Sequence, residues 1–575
     1  MHVATTSRHY KDKVYETHLL RRSFRQDGKV KNETLANLSH LPAEAIEAVR
    51  TVLRGERVVR ADDAFDIVRA LPHGDVAAVW AMARQVDLAK LIGPPSRERD
   101  LAMALVVSRV VRPASKLSTA RWWSDTTLGV DLSIAEASTD EVYAAMDWLV
   151  GRQEAIETAL ATRHLSAKEN PRRLALYDLS SSPMEGSCCP LAARGYSRDH
   201  KGGKAQIEYG LLCDPEGRPI SIKVFSGNTG DPSAFIDVVE TVRSSFGLEH
   251  LVMVGDRGMI TSARIAALKE AKSTLGWVTS LRAPAIAKLA REGGPLQPSL
   301  FDETNLATFT HPDYPGERLV ACRNPLLAAE RARKREELLV ATEALLAPIA
   351  AAVSAGTLRG ADAIGLKVGK IINRRKMAKH IELSIGDDTF AYARKDEQIA
   401  AEAALDGIYV VRTSTEASEL DGPDVVSVYK SLAGVERAFL SMKADDLDLR
   451  PIRHHLEDRV RSHVLIAMLA YYLVWHLRRA WAELTFTDEE RPTPTDPVAP
   501  ARRSAAAAKK AARKENADEV TVRSFGDLLE HLGTLTRNDV VFAGSKAVVP
   551  MLTGSTPTQR RAFELLGVSV PLTLT

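Results

Sequence analysis

The stretch "RLALYDLSSSP", Arg173 to Pro183, reads as a buried strand, yet it carries an acid, Asp178, where its apolar run ends. Leu, Ala, Leu and Tyr in one short block predict a strand that is covered on both faces, and the Ser-Ser-Ser-Pro that follows predicts its end. Burying an ionised carboxylate costs several kcal/mol unless it is paired or bound to a metal. Asp178 is therefore expected to have a partner or a chemical role.

A second stretch, "HLVMVGDRGMI", repeats this pattern with an apolar strand that ends in Asp256, followed by Gly258 and a helix start at Thr261 or Ser262. In a sheet of strand order 3-2-1-4-5 the two strands are parallel neighbours, so both acids lie at the same end of the sheet. Two carboxylates held that close repel each other unless a cation lies between them, which predicts a magnesium or manganese site. The alternative is that each Asp only caps the turn or helix after its strand.

The order of elements around the two acids predicts the fold. Residues 168–282 read as β-β-β-α-β-α-β, with the first crossover helix over 231–246. Three consecutive strands joined by tight turns and then two crossovers predict a mixed sheet with helices on its faces, the arrangement of ribonuclease-H-like domains. The fold class is therefore α/β.

Composition and patterning give the domain organisation. The chain has 575 residues, of which 45% are hydrophobic and 26% charged, with a net charge of +3 and four cysteines, which favours a protein of the reducing cytosol without a disulfide framework or structural zinc. The apolar run Val464–Trp475 is too short for a membrane span and predicts a buried helix. Five segments are predicted: an N-terminal hairpin and helical region (1–167), the first part of an α/β core (168–282), an inserted α+β domain with its own sheet (283–423), the second part of the core with a long helical stretch (424–490), and a linker with a basic tail (491–575).

A third acid is predicted on a helix. In "DVVSVYKSLAGVERAFLSMK", Tyr429, Glu436 and Lys443 are seven residues apart and fall on one helical stripe beside an apolar face. The alternative is an ordinary amphipathic surface helix with a chance heptad spacing.

These residues together resemble the DDE transposases of bacterial insertion sequences, in the branch with a Tyr-x2-Arg-x3-Glu-x6-Lys signature and a catalytic domain split by a β-rich insertion. Tyr429, Glu436 and Lys443 match the signature, whereas Leu432 occupies the position of its arginine, so that Lys430 or Arg437 would have to substitute. The first two acids of the family match Asp178 and Asp256. The resemblance covers about residues 10–480.

The resemblance implies a metal-dependent enzyme that cleaves DNA at the ends of an insertion sequence and joins the freed 3′-hydroxyl to target DNA. Asp178, Asp256 and Glu436 would be the catalytic residues and would hold two Mg²⁺ ions, with Mn²⁺ as a substitute, and Asp178 would bridge them. The DNA-binding residues would be Tyr429, Arg437 and Lys443. The expected partners are element ends and target DNA, with a homodimer on paired ends and no membrane, in the nucleoid of the cytoplasm.

Two other classes stay open at this point. A metal-dependent nuclease or junction resolvase could use the same fold and acids, but it would cleave without joining. A non-catalytic DNA-binding protein derived from such an enzyme is the other, although three intact acids speak against it.

Overall fold

The computed structural model describes residues 1–11, 13–56, 64–186, 188–198, 203–229, 239–242, 244–248, 250–270, 274–291, 293–492, 494 and 496–574. The chain forms two compact units. The smaller unit joins Met1–Leu71 to Thr536–Gly554, and the larger joins Pro72–Leu535 to Ser555–Thr575.

The smaller unit contains two antiparallel three-stranded sheets. The hairpin predicted near the N-terminus is confirmed: Gln26 pairs with Lys29 across a two-residue turn. Asp27 and Gly28 at this turn both have positive φ, 51° and 75°, which is the conformation that Asp-Gly favours in tight hairpins. The elements are β1 (His2–Tyr10), β2 (Lys13–Gln26), β3 (Lys29–Asn37), α1 (Ala43–Leu53) and β4 (Phe65–Pro72), and β4 belongs to a second sheet with two strands from the C-terminal part of the chain.

The larger unit begins with a helical region, as predicted. Its central helix is buried along ten consecutive residues, Leu101–Val110, because helices lie against it on several sides. The helices are α2 (Gly74–Gln85), α3 (Leu88–Ile92), α4 (Arg97–Val111), α5 (Lys116–Trp122), α6 (Thr127–Asp131), α7 (Thr139–Val150) and α8 (Gln153–His164).

The catalytic-core sheet has the strand order predicted from the sequence. Its elements are β5 (Leu174–Pro183), β6 (Gln206–Cys213), β7 (Pro219–Ser226), β8 (Val252–Val254), α9 (Ser262–Glu270) and β9 (Gly276–Ser280). The strands lie in the order β7-β6-β5-β8-β9, with β5, β8 and β9 parallel and β6 and β7 antiparallel to their neighbours. This is the 3-2-1-4-5 mixed sheet of the ribonuclease-H-like arrangement. The helix predicted over 231–246 falls mostly outside the described residues.

The predicted separate sheet of residues 283–423 is corrected by the strand pairing. Three strands of this segment, β10 (Leu306–Phe309), β11 (Arg318–Arg323) and β14 (Ile408–Thr413), extend the main sheet beyond β9 in the order β9-β14-β11-β10. Two others, β12 (Ile381–Ile385) and β13 (Phe390–Arg394), form a separate hairpin. The segment contains α10 (Ala283–Leu289), β10 (Leu306–Phe309), β11 (Arg318–Arg323), α11 (Pro325–Ser354), α12 (Ala361–Arg375), β12 (Ile381–Ile385), β13 (Phe390–Arg394), α13 (Asp396–Ala403) and β14 (Ile408–Thr413).

The long helical stretch predicted after residue 424 is interrupted. It consists of α14 (Gly422–Lys430), α15 (Ala433–Leu440), a π-helical turn (Ser441–Asp445) and, after a connecting loop over 446–456, α16 (Glu457–Ala480). The run Val464–Trp475 lies within α16 and is mostly buried in the core, as predicted. Among the described residues α11 and α16 are long and apolar enough to cross a membrane, which is weak support for a span because a buried core helix passes the same test.

Residues 491–575, predicted as a linker and tail, contain regular structure. The elements are α17 (Ala505–Arg513), α18 (Phe525–Gly533), β15 (Thr536–Phe542), β16 (Val548–Leu552) and α19 (Pro557–Leu565). The two strands complete the second sheet of the smaller unit, and α18 and α19 add Leu528, Leu532 and Phe563 to the main hydrophobic core of the larger unit.

Candidate active site

Asp178 lies on β5, and Asp256 lies two residues beyond the end of the neighbouring parallel strand β8. Leu174 pairs with Val252 and Leu176 with Val254, and the same offset carried two residues further brings Asp178 opposite Asp256. The strand does not end at Asp178, however: β5 continues to Pro183 because β6 keeps pairing with it. Asp178 is thus beside the point where β8 stops, and this opens the sheet next to its side chain.

Asp256 occupies the loop between β8 and α9, where the backbone shapes a turn around it. Its Oδ1 accepts hydrogen bonds from the amides of Gly258 (2.8 Å) and Met259 (2.7 Å). Its carbonyl accepts a bond from the Thr279 hydroxyl on β9 (3.0 Å). Asp256 therefore does cap the turn that follows its strand, and this capping also fixes the exposed carboxylate beside Asp178.

The carboxyl of Asp178 is in an environment that disfavours its charge. Its pKa is raised to about 7, chiefly by burial and also by repulsion from the carboxylates of Asp256 and Glu436. The amide of Leu179, which donates to Oδ1 at 2.8 Å, and the guanidinium of Arg198 act in the opposite direction. Asp256 and Glu436 are thus both within electrostatic reach of Asp178.

Glu436 is on the exposed side of α15, whose position is fixed by close contact between two glycines. A Cβ at Gly434 would be 3.2 Å from the Cα of Gly217, in the turn between β6 and β7, and a Cβ at Gly217 would be equally close to Gly434. The first turn of α15 therefore lies directly against the sheet that carries Asp178. Val435 and Phe439, on the face of α15 that adjoins Glu436, are both buried.

Tyr429 is held beside the acids by β9. Its hydroxyl shares a 2.8 Å hydrogen bond with the hydroxyl of Ser280, the last residue of that strand. Burial raises the pKa of Tyr429, the bond from Ser280 and the charge of Arg257 lower it, and the carboxylates of Asp256 and Glu436 raise it. Tyr429 is therefore within electrostatic reach of Asp256 and Glu436.

The single straight helix predicted for Tyr429, Glu436 and Lys443 is wrong. The chain turns at Ser431 and Leu432, where the Ser431 hydroxyl donates to the Val428 carbonyl and competes with the helical backbone. Lys443 lies beyond α15 in the π-helical turn and is buried, 7% exposed.

The position of the missing signature arginine is also buried. Leu432 packs in the main hydrophobic core, and Lys430 donates through Nζ to the carbonyls of Val498 and Ala499, both at 3.0 Å. Arg437 is exposed one residue after Glu436. Of the two residues considered as substitutes, Arg437 is therefore the one with a side chain open to solvent.

The donor set suits a hard divalent cation. Asp178, Asp256 and Glu436 offer only carboxylate oxygens, the ligands that Mg²⁺ and Mn²⁺ prefer, and a cation between them would relieve their repulsion. Across the described ranges no three His, Cys, Asp or Glu side chains already converge into a coordination shell. Asp256 and Glu436 thus act electrostatically on Asp178, but the three carboxylates are not close enough together to form a complete set of metal ligands.

Two residues near the acids were missed by the sequence reasoning. Arg198 donates through its amide to Ser181 of β5 at 3.1 Å, and its guanidinium acts on Asp178 and lies 3.8 Å from Glu208. Its signal was its place among basic residues in "GYSRDHKGGK", between the first two acids. Ser280, which anchors Tyr429, has no signal beyond its position at the end of a strand.

No curated protein matched the chain. A solved structure described as "Cryo-EM structure of piggyBac transposase synaptic complex with hairpin DNA (SNHP)" is similar over 70% of this chain and 72% of its own, at 11% identity, but a TM-score of 0.34 is too low to support a conclusion.

Two family models match. The model "IS1634 family transposase, N-terminal domain" matches residues 3–63, and "Transposase DDE domain" matches residues 169–473, a range that includes all three predicted acids. The second match covers more than half of the chain. The protein therefore belongs to the DDE transposases of insertion sequences, enzymes of DNA transposition.

Proposed function

We propose that this transposase cleaves DNA at the ends of an insertion sequence and transfers the freed 3′-hydroxyl to target DNA at one site formed by Asp178, Asp256 and Glu436. The observation that carries this proposal is the electrostatic convergence of the three carboxylates at one edge of the sheet. Members of this family generally use divalent metal ions, and here the three acids would hold two Mg²⁺ ions. When bound, the ions would activate the attacking oxygen and stabilise the leaving oxygen.

The protein side chains would orient the DNA around this centre. Arg437 is exposed beside Glu436 and is suited to a phosphate contact. The hydroxyl of Tyr429 is held in place by its hydrogen bond with Ser280. Lys443 is retained from the signature as a DNA contact, although its burial would restrict it to a phosphate that enters deeply. The N-terminal region would recognise the element ends, and two copies would act on paired ends in the nucleoid.

The test of the catalytic assignment is Glu436→Gln. This change keeps the shape and removes the charge that would balance the metal, so both cleavage and strand transfer should fall by several orders of magnitude. Binding to end DNA should persist, because losing a negative charge beside phosphates does not weaken attraction. A Mg²⁺-dependent cleavage assay, a strand-transfer assay and a gel shift measure these outcomes.

Glu416→Gln and Glu419→Gln are matched controls for this experiment. Both glutamates are exposed and lie in the polar segment between β14 and α14, where they line a surface cavity with Arg172 and His250. Near-normal cleavage by Glu436→Gln, or its loss in a control, would show that the third ligand is placed wrongly. Cleavage without any joined product in the wild type would contradict the strand-transfer step.

A further inference from the structure

A cluster of basic side chains lies in the helical region of the larger unit. Arg109 on α4, Lys116 at the start of α5 and His463 on α16 are 4%, 5% and 7% exposed. His454, in the connecting loop over 446–456, packs against His463 with ring centroids 5.1 Å apart and ring planes tilted by 56°. Four elements thus bring four basic side chains to one place.

These side chains have few partners. Arg109 donates through Nη1 to the Leu447 carbonyl at 3.4 Å, and His463 uses Nε2 on the Leu449 carbonyl at 3.1 Å. Within the part of the chain that the structure describes, the buried Nδ1 of His463 has no hydrogen-bond partner, and Lys116 has neither a hydrogen bond nor an ion pair.

The charges that face the cluster do not balance it. Asp448, exposed at the rim, is the acid whose field reaches Arg109, whereas Arg459 adds a positive field at His454 and is itself 3.6 Å from Asp147. Burial, followed by mutual repulsion, lowers the pKa of Lys116 and of both histidines. A buried guanidinium or ammonium without a close counter-charge is costly, and an anion would reduce that cost for Arg109 and Lys116.

The cluster is also tied to the catalytic strand. The connecting loop pairs with the end of β5: Ile452 donates to the Pro183 carbonyl at 3.2 Å, and Glu185 donates to the Ile452 carbonyl at 2.8 Å. The side chains of Arg453 and His455 on this loop are exposed. A strand advances about 3.3 Å per residue, so the five residues from Asp178 to Pro183 span roughly 16 Å. The point where the loop pairs with β5 is therefore about that far along the strand from Asp178.

We propose that Arg109, Lys116, His454 and His463 form a binding site for a phosphate group, entered past Asp448, that is separate from the three catalytic carboxylates. The same chemistry would suit a backbone phosphate of bound DNA or a free phosphate ion. Only the DNA source rests on the proposed function, because binding of inorganic phosphate can be measured without any cleavage or joining.

The first arm of the experiment measures the thermal midpoint of the full chain in potassium phosphate and in potassium chloride at equal ionic strength. A ligand that binds the native state stabilises it, so phosphate should raise the wild-type midpoint. Lys116→Met should lose this rise without lowering the midpoint in chloride, because a near-isosteric apolar group replaces a buried cation. Lys168→Met, at an exposed lysine just after α8, is the control and should keep the rise.

Asp448→Asn keeps the test decisive if Lys116→Met fails to fold. Asp448 has a φ of 41°, a conformation that Asn tolerates, and its replacement removes a negative charge that acts on Arg109 and would compete with the anion. The phosphate-dependent rise should therefore increase in this variant. An unchanged rise in Asp448→Asn, or a full rise in Lys116→Met, would overturn the proposal.

The second arm identifies the source of the phosphate with end DNA and random duplexes in a gel shift at several salt concentrations. If a DNA phosphate occupies the site, Lys116→Met should flatten the slope of log K against log[salt] by about 0.9. An unchanged slope together with a lost phosphate-dependent rise would assign the site to a free phosphate ion. A full phosphate-dependent rise in Lys116→Met overturns the proposal whatever the slope and whatever the fate of cleavage.

Discussion

At the scale of single residues, Asp178 combines a proposed catalytic role with an energetic cost. Its pKa is raised to about 7 by burial and by the neighbouring carboxylates. An acid whose folded-state pKa is raised favours the native state at low pH, and this contribution is lost as the pH rises from about 4 through about 7. Above that range the metal-free protein therefore carries an unfavourable charge.

We expect Asp178→Asn to raise the thermal midpoint of the metal-free protein by a few degrees at pH 8, because the amide has no charge to desolvate. The difference from wild type should shrink as the pH falls to about 5, where the wild-type carboxyl is protonated. With Mg²⁺ the wild type should gain stability and the variant should gain less. Thermal unfolding at both pH values, with and without Mg²⁺, measures this.

Asp302→Asn is the matched control, since Asp302 is an exposed acid in the segment before β10. Its midpoint should follow the wild type at both pH values. A stabilisation by Asp178→Asn that did not depend on pH would show that the carboxylate charge is not its cause.

At the scale of elements, the position of Glu436 depends on how closely α15 approaches the sheet. Alanine normally stabilises a helix by about 1 kcal/mol relative to glycine. At Gly434, however, the added Cβ would be 3.2 Å from backbone atoms of Gly217, which has a φ of 82° in its turn and cannot retreat as a flexible side chain would. The helix would have to shift by a few tenths of an ångström.

We expect Gly434→Ala to lower cleavage by about tenfold while leaving the protein folded, because small misplacements of a catalytic group are expensive. Gly365→Ala is the control: Gly365 is within α12, and a Cβ there would meet nothing within 4 Å. This control should be slightly more stable and fully active. Equal cleavage by the two variants would contradict the positioning role of the glycine contact.

The sequence was sufficient for some of these elements and not for others. The β5 and β8 acids were found because strand ends and apolar blocks are local patterns, and the parallel pairing follows from the order of elements. The break between Tyr429 and Glu436 was missed because a heptad of side chains does not reveal Ser431 bonding back to Val428. The burial of Lys443 depends on packing around the π-helical turn, which no periodicity encodes.

At the scale of the whole molecule, strand pairing and core packing join segments that are far apart in sequence. Strands β10, β11 and β14 extend the main sheet. The sequence did not predict this pairing, because alternation of apolar and polar residues shows that a strand exists but not which strand it pairs with. The segment predicted as a tail packs into the core: Trp481 donates through Nε1 to the Ala562 carbonyl at 3.0 Å, and Phe525 and Phe563 are buried. Composition did not predict this packing, because it does not show which distant residues a segment contacts. The linker that precedes this segment has the composition of a flexible chain end, and this composition led to the prediction of a tail.

If this C-terminal segment is part of the core, Phe563→Ala should destabilise the larger unit by about 3 to 5 kcal/mol, the usual cost of removing a buried phenyl ring. Phe563 is 1% exposed, in the same core cluster as α16 and the catalytic sheet. Leu326→Ala, at a leucine that is 63% exposed on α11, should change stability by no more than about 0.5 kcal/mol. Urea unfolding followed by tryptophan fluorescence compares the two, and cleavage should fall with the folded fraction of the Phe563 variant. A Phe563→Ala protein as stable as the Leu326 control would mean that the C-terminal segment is an appendage, and that the catalytic sheet and its helices fold without it.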